Sequence, residues 1–453
     1  MKKKQYSLTK DPINELFINI AIPSCIGTMF QTFYNLVDTF FAGKISPEAL
    51  AAIAQTFPVY FIIIALGIGI GIGSTALISN SIGDKNKKKA SLYLAQTLLI
   101  SLIVAIITTI IGLLFGPVIL KLMGTNTTTL NLSIEYIQII FLGSIFFFIQ
   151  IAANSALTAI GNTKSYRNVM IFSFWLNIIL NPLFIFGYGF IPALGIKGIA
   201  LATITSQFLG MTYILYKTLN TELIKYLYPK CFYPKLHLIK SLLNQGVPAA
   251  FGMITISVGI YIILYFVSMY GDYALAGYGT AIRYEQIFLL PILGLNTAVL
   301  AISGQNFAAK NFDRVREVYN KALFYGCSIM IFAGIIIFFS AETIISIFTD
   351  NKEVINHGKI YLQITCLMEP IYPIFFISNA LLQGMKKANY VLFLTIFRMV
   401  IAPLIALSIL IVYLELSFAY VFWGLLFINW IFGIFVIFFS RKIMRIEFTK
   451  NLN

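Results

Sequence analysis

Five polar side chains follow one another at steps of four and three residues through an otherwise apolar stretch near the start of the chain. They are Ser24, Thr28, Gln31, Asn35 and Asp38. On a helix this spacing places all five on one face. The stripe ends on Asp38, whose carboxylate can bind a proton or a cation, so the chemistry that it indicates is reversible ion binding.

Two later apolar stretches carry polar groups at the same spacing, Asn177 with Asn181 and Thr203 with Gln207. A polar face cannot point at hydrocarbon, so it must line a cavity or meet other polar groups. We expect Asp38 to lie in a partly desolvated pocket among these amides and hydroxyls, where it takes up H⁺ or Na⁺ and later releases it. The alternative is a solvated, inert Asp38 near the outer end of the first helix.

Four more ionisable residues lie within apolar stretches of the second half: Arg283, Glu285, Glu369 and Arg398. An ionisable residue in a spanning helix is costly and therefore a functional candidate. For Glu369, which precedes Pro370, we expect a structural ion pair with Arg398 or Arg283 rather than a coupling role. Arg283 and Glu285 are two residues apart and do not share a helix face, which leaves Glu285 as a secondary candidate.

A substrate cleft would be lined by polar and aromatic side chains from several helices. The candidates are Gln31, Tyr34, Asn35, Gln207, Tyr261 and Tyr265. Aromatic faces bind organic cations, so the three tyrosines are candidates to receive flat, positively charged compounds.

The elements that position these residues follow from composition. Of 453 residues, 59% are hydrophobic and only 11% charged, against about 25% charged in soluble chains. Soluble, disordered and disulfide-rich classes are excluded, and a polytopic membrane protein is predicted. Twelve apolar runs are long enough to span a bilayer: 16–41, 49–80, 91–116, 131–157, 166–188, 195–217, 244–270, 275–305, 318–347, 359–383, 389–413 and 417–440.

The basic residues orient these spans. Placing the N-terminus inside puts 25 of the 32 Lys and Arg residues in cytoplasmic segments and five on the opposite side, as the positive-inside rule requires. The protein is therefore expected in the inner membrane, with both termini on the cytoplasmic side. The net charge of +15 is mainly a topology signal, and no nucleic-acid partner is expected.

The two halves repeat at an offset of 225 residues. Pro23 and Gly27 correspond to Pro248 and Gly252, and further matches continue along both halves. Because each half has six helices, both enter the membrane in the same sense. This predicts an all-α protein of twelve transmembrane helices in two six-helix lobes, related by a pseudo-two-fold axis along the membrane normal, around a V-shaped central cleft. The lobes are 1–217 and 244–453, joined by a cytoplasmic linker at 218–243, and alternating access follows from this arrangement.

Other chemistries find no support in the sequence. No phosphate-binding GxxxxGK[ST] loop, metalloprotease HExxH or hydrolase GxSxG motif occurs, and the four cysteines and two histidines form no metal-binding pattern. We expect a transporter rather than an enzyme, with no cofactor and no metal site apart from a possible Na⁺ at Asp38.

The ordered landmarks resemble the multidrug and toxic compound extrusion (MATE) family, in its prokaryotic DinF-like and NorM-like members, along nearly the whole chain. They are Pro23, Leu36-Val37-Asp38-Thr39, Gly43 and Ala49-Leu50-Ala51-Ala52 in the first half, and Gly246-Val247-Pro248, Ala274-Leu275-Ala276, Gly304-Gln305-Asn306 and Gln383-Gly384 in the second. The resemblance implies export of amphipathic, often cationic compounds driven by inward H⁺ or Na⁺. The expected partners are small organic substrates and membrane lipids, and the protein is expected to be a monomer.

The resemblance also assigns roles to single residues. Asp38 matches the family's first-helix carboxylate used in ion coupling, Asn177 a helix-five Asn and Thr203 a helix-six Thr of the same site. Asn181 is a departure, because DinF-like members often have an Asp there. The run 246–270 also lacks the helix-seven acid of NorM-like members.

Two alternatives share parts of this pattern. The major facilitator class also has twelve helices in two parallel halves, but the landmarks at Pro248, Ala274 and Gln305-Asn306 argue against it. A flippase for lipid-linked oligosaccharides, from a related superfamily, would favour several basic residues in a central cavity, and only Arg283 and Arg398 lie within spans.

Overall fold

A computed structural model of the chain describes residues 6–124, 126–189 and 191–452. Within these residues the chain is helical, apart from two short 3₁₀ turns, the connecting loops and one isolated β-bridge. The helices are α1 (Ile13–Ile45), α2 (Pro47–Gly83), α3 (Lys87–Leu122), α4 (Thr127–Ala159), α5 (Lys164–Phe186), α6 (Ile196–Leu219), α7 (Leu236–Ser268), α8 (Asp272–Ala308), α9 (Phe312–Ser346), α10 (Lys352–Thr365), α11 (Ile371–Gly384), α12 (Ala388–Tyr413) and α13 (Ala419–Leu452).

Eleven helices of the described chain are long and apolar enough to cross a membrane, and each overlaps one predicted run. The prediction that the tenth run, 359–383, forms one continuous helix was wrong. This run consists of the end of α10, a turn at 366–370, and α11. The turn ends at Pro370, which has no N–H to donate and disfavours helical geometry in the residue before it.

Helix α12 is irregular in two places. Segments Phe397–Ile401 and Ser408–Tyr413 form π turns, and in the first the N–H of Ala402 donates to the carbonyl of Phe397, five residues back. A π turn inserts an extra residue and changes the direction in which nearby side chains point. Arg398 lies on the first of these turns.

The internal repeat is visible in matching helix ends. Helices α2 and α8 both have 37 residues, and α8 begins and ends 225 positions after α2. Lys85 and Lys310 follow these helices, and both adopt the left-handed conformation, with φ of 57° and 59°. In each half the N–H of the next residue donates to the carbonyl five residues earlier in the helix, Asn86 to Ser81 and Asn311 to Asn306. The two halves therefore terminate equivalent helices with the same Schellman-type turn.

The contacts divide the chain into two compact units. The amino-terminal unit is Ile18–Ala250, and the carboxyl-terminal unit contains the described residues up to Phe17 and those from Phe251 onwards. Buried Leu223 and Cys231 of the 218–243 segment place this segment against α3 within the amino-terminal unit. The predicted lobes at 1–217 and 244–453 follow the sequence repeat, whereas these units follow packing.

Within the amino-terminal unit, helix α4 packs against α2, α3 and α6. Small residues allow the closest approaches. A Cβ atom placed on Gly69 would lie 2.5 Å from the carbonyl oxygen of Gly246 and 2.7 Å from the Cβ of Ala250. Such glycine contacts let helices in a membrane pack through their backbones.

We therefore expect Gly69→Ala to destabilise the protein by about 1–3 kcal/mol, because the added methyl meets backbone that cannot move aside. The measurement is the apparent melting temperature of purified protein in detergent. Gly252→Ala is the matched control, since a Cβ there has no heavy atom within 4 Å. Equal melting temperatures for the two variants would contradict this packing.

Candidate functional site

Asp38 lies on α1 with only 6% of its surface exposed, and three side chains donate hydrogen bonds to its carboxylate. The amides of Asn177 and Asn181 both donate to Oδ1 at 3.0 Å, and the hydroxyl of Thr203 donates to Oδ2 at 2.8 Å. The structure thus brings together the four residues predicted for ion coupling, all within the amino-terminal unit.

Helix geometry sets this arrangement. Asn177 and Asn181 are one turn apart on α5, and the Asn181 amide also donates to Oδ1 of Asn177 at 2.9 Å. Thr203 reaches the carboxylate from α6. The site therefore joins three helices through one carboxylate, and a change at Asp38 acts on all three.

The site has more acceptors than donors. Among the described residues no Lys, Arg or His forms an ion pair with Asp38. Oδ1 of Asn181 is buried and accepts no hydrogen bond there either. A buried carboxylate with only neutral donors beside a free amide oxygen is an arrangement that favours a bound positive charge.

Three tyrosines surround the cluster. Tyr34, predicted to line the cleft, is instead buried and donates to the carbonyl of Thr203 at 3.1 Å. Tyr60 on α2 and Tyr136 on α4 lie close enough to Asp38 to interact with it electrostatically. Tyr60 and Tyr136 could not be predicted from the sequence, because a tyrosine in an apolar run carries no signal that separates it from ordinary packing.

The rest of the polar stripe is divided. Ser24 is buried, and its carbonyl accepts from the hydroxyl of Thr28 at 3.1 Å. Gln31 accepts a hydrogen bond of 2.6 Å from the hydroxyl of Tyr166, whereas Asn35 is exposed.

The remaining cleft candidates are accessible to different degrees. Gln207 is half-buried and hydrogen-bonded to Tyr60. Tyr261 and Tyr265 on α7 are each 62% exposed. A role in substrate binding stays a prediction for all three.

A second polar cluster lies in the carboxyl-terminal unit around Glu285 of α8. Its Oε1 accepts from the hydroxyl of Tyr372 at 3.0 Å, and its Oε2 accepts from the hydroxyl of Tyr361. Glu369 is its neighbour. Both carboxyl oxygens of Glu369 are buried, and no described group donates to them.

The predicted ion pair of Glu369 with Arg398 or Arg283 was wrong. Arg398 donates from Nε to Asn429 at 2.8 Å and lies over the ring of Phe375, while Arg283 is exposed on α8. The turn at 366–370 directs Glu369 towards Glu285, and the π turn of α12 directs Arg398 towards α13. Neither direction could be obtained from a regular helix.

We expect Glu369→Gln to raise the apparent melting temperature by about 2 °C, because two buried carboxyls in contact repel unless they share a proton, whereas the amide of Gln can donate to Glu285 without one. Glu353→Gln, which changes an exposed acid on α10, is the control and should have little effect. A lower melting temperature for Glu369→Gln would contradict this description of the cluster.

Comparison with known proteins decides the class. The MatE family model matches residues 23–183 and 248–407, one match in each half of the repeat. The chain belongs to the MATE family. As a MATE protein it is a transporter and not an enzyme.

Relatives and solved structures agree with this family. This MATE transporter is 30% identical to "Probable multidrug resistance protein YoeA" of Bacillus subtilis, over 76% of the chain and 75% of the relative. It is 27% identical to "FAD transporter" of Shewanella oneidensis, over 84% of each chain. A solved structure described as the outward-facing conformation of a multidrug resistance MATE family transporter superposes with a TM-score of 0.91, at 25% identity and 99% coverage of both chains. The predicted all-α, two-lobe membrane fold is confirmed.

Proposed function

We propose that this MATE transporter is a secondary multidrug exporter. It moves amphipathic, often cationic organic compounds out of the cell in exchange for H⁺ or Na⁺, by alternating access. The family and the multidrug resistance protein to which the chain is similar support the class of function. In this proposal the protein is a monomer in the inner membrane, with membrane lipids around it and both termini in the cytoplasm.

The observation that carries the proposal is the buried carboxylate of Asp38, which has neutral partners only. An uncompensated charge inside a membrane protein is costly, and such residues commonly mark ion pathways. A bound cation removes that cost. Export then has a driving force, because the site fills on the side of high ion concentration and empties on the other.

The oxygen atoms of Asp38 and Asn181 suit either ion. With H⁺, the protonated carboxyl becomes a donor, and the free Oδ1 of Asn181 is an acceptor beside it. With Na⁺, the carboxylate of Asp38 and the amide oxygen of Asn181 provide hard oxygen ligands. We therefore propose one ion site whose ion is assigned by experiment.

Ion binding must act unequally on two conformations to drive transport. A proton or Na⁺ at Asp38 competes with hydrogen bonds from α5 and α6, so binding alters how α1 is held against both helices. In the proposed cycle the ion-bound form has the lower affinity for substrate, and ion entry expels the substrate outwards.

The test is uptake of a fluorescent cation, rhodamine 6G, into everted membrane vesicles that contain the protein. The pH gradient and the Na⁺ gradient are collapsed separately, and vesicles without the protein give the background. Loss of uptake with one gradient only assigns the ion. Uptake that survives the collapse of both gradients would refute secondary antiport.

Two other cargoes can be measured in the same vesicles. The relative named for FAD makes flavins a second cargo class to test. The flippase alternative is not favoured, because the matched family and the multidrug relatives point to small-molecule export. Transfer of a lipid-linked pyrophosphate without any rhodamine uptake would reverse this preference.

A further inference from the structure

The carboxyl-terminal unit contains a partly open cavity of about 200 Å³, whose lining residues all come from that unit. Most of its wall is aliphatic or aromatic, including Ile260, Tyr278, Phe376 and Met399. Its few polar groups converge from α8, α10, α11, α12 and α13. A concave apolar site with a small number of oriented polar groups is the usual form of a small-molecule site.

The acidic group in this wall is already engaged. Glu285 is buried, and each of its carboxyl oxygens accepts a hydrogen bond from a tyrosine hydroxyl, Tyr372 for Oε1 and Tyr361 for Oε2. Both tyrosines also line the cavity. The carboxyl is therefore screened by two donors on the cavity side.

The basic group is not neutralised. Arg398 lines the cavity and donates from Nε to Asn429. Its guanidinium carbon lies 3.6 Å from the ring centre of Phe375 and 5.7 Å from that of Tyr372. Within the part of the chain that the structure describes, Arg398 forms no ion pair with a carboxylate.

Arg398 is held in place by neutral groups, so its charge is available to a ligand. A guanidinium has five N–H donors, and an amide oxygen and two aromatic faces hold the group in place without cancelling its charge. An uncompensated cation inside the membrane is costly unless it serves a ligand. The π turn of α12 points this cation into an apolar cavity although two acids lie nearby.

We propose that this cavity binds a small aromatic anion, whose carboxylate or similar acidic group pairs with the guanidinium of Arg398. Two parallel N–H donors match a carboxylate in a bidentate geometry, and the ring of the ligand packs between Tyr278 and Phe376. An apolar cavity of about 150 Å³ binds benzene, so the present volume suits one or two fused rings.

This site goes beyond the proposed export of cations. It lies in the other unit from Asp38 and uses none of the residues proposed for ion coupling. A cationic ligand would meet the like charge of Arg398, and the screened Glu285 offers it little compensation. The cavity therefore selects for the opposite sign of charge to that of the compounds expected from the family.

The test is equilibrium dialysis of the purified full-length protein in nanodiscs against two fluorescent probes, 2-naphthoate and 2-naphthamidine, which share a ring system and differ in charge. Empty nanodiscs give the background. We expect saturable binding of 2-naphthoate at least about tenfold tighter than that of 2-naphthamidine, and a loss of about tenfold or more with Arg398→Gln. Arg398→Lys, which keeps the charge without the fork, should be intermediate.

Controls separate this site from the rest of the molecule. Arg283→Gln removes an exposed arginine of α8 that does not line the cavity, and it should leave 2-naphthoate affinity unchanged. Ile260→Trp fills the cavity and keeps Arg398, so it should abolish binding, which keeps the test valid if Arg398→Gln folds poorly. Equal affinities for the two probes, or binding that is unaffected by both Arg398→Gln and Ile260→Trp, would overturn the proposal.

Discussion

Asp38→Asn is expected to abolish gradient-driven export. The initial rate of rhodamine 6G uptake into everted vesicles should fall about 100-fold, which lies in the upper part of the range that typical coupling free energies produce. The substitution keeps the size of the side chain and its ability to accept from Thr203. It removes the charge that a proton or Na⁺ would compensate. The site can then no longer distinguish a high-ion side from a low-ion side.

Substrate binding separates this loss of coupling from a loss of folding. Wild-type protein should bind rhodamine 6G more weakly when the coupling ion is raised, whereas Asp38→Asn should bind it with one affinity at all pH and Na⁺ values. Glu135→Gln is the matched control, since it removes a half-buried acid of the same unit that pairs with Lys197 at 3.3 Å. Undiminished gradient-driven uptake by Asp38→Asn would refute the proposed role of Asp38 in ion coupling.

The clustering around Asp38 could be predicted from sequence because helix periodicity is local. Steps of three and four residues place the stripe of α1 on one face, and the four-residue step does the same for Asn177 and Asn181 on α5. Polar faces in apolar helices have few polar partners available, so they tend to pack against one another. The role of these residues in ion coupling stays a prediction.

The break in the tenth span could not be predicted, because proline alone does not decide it. Pro23, Pro58, Pro117, Pro182, Pro248 and Pro291 all lie inside continuous helices. Among the residues that the structure describes, only the turn at 366–370 interrupts a span completely. Neighbouring helices can satisfy the carbonyl that a proline leaves free, and that compensation depends on packing which a single sequence does not contain.

The wrong partner for Glu369 has the same origin. Opposite charges on neighbouring spans favour an ion pair when both helices are regular. Here the turn before α11 and the π turn of α12 rotate Glu369 and Arg398 away from each other, towards Glu285 and Asn429. Irregular backbone therefore determined which charges met.

Asn181→Asp is expected to make transport strongly dependent on pH. The amide of Asn181 donates to Oδ1 of Asp38 at 3.0 Å and to Oδ1 of Asn177 at 2.9 Å. A carboxylate in its place loses both donors and brings a second negative charge to hydrogen-bonding distance from Asp38. Two carboxylates this close cannot both remain ionised without a shared proton or a cation.

The sign of the effect follows from that shared proton. At pH 6 the pair holds it, a hydrogen bond to Asp38 is restored, and uptake should stay within about threefold of wild type. As the pH rises the proton leaves and the two charges repel, so uptake at pH 8 should fall about tenfold or more. If Na⁺ is the coupling ion, high Na⁺ should restore uptake at pH 8, which makes this variant a second assay for the identity of the ion.

Two variants on the same helix control for this result. Asn181→Leu removes the donors without adding charge, so its loss of uptake should be the same at pH 6 and pH 8. Asn168→Asp adds a carboxylate at an exposed position of α5 beside Arg167 and should leave the pH profile unchanged. A wild-type pH profile for Asn181→Asp would show that residue 181 does not face Asp38 during transport, and the three-helix ion site would then have to be reassigned.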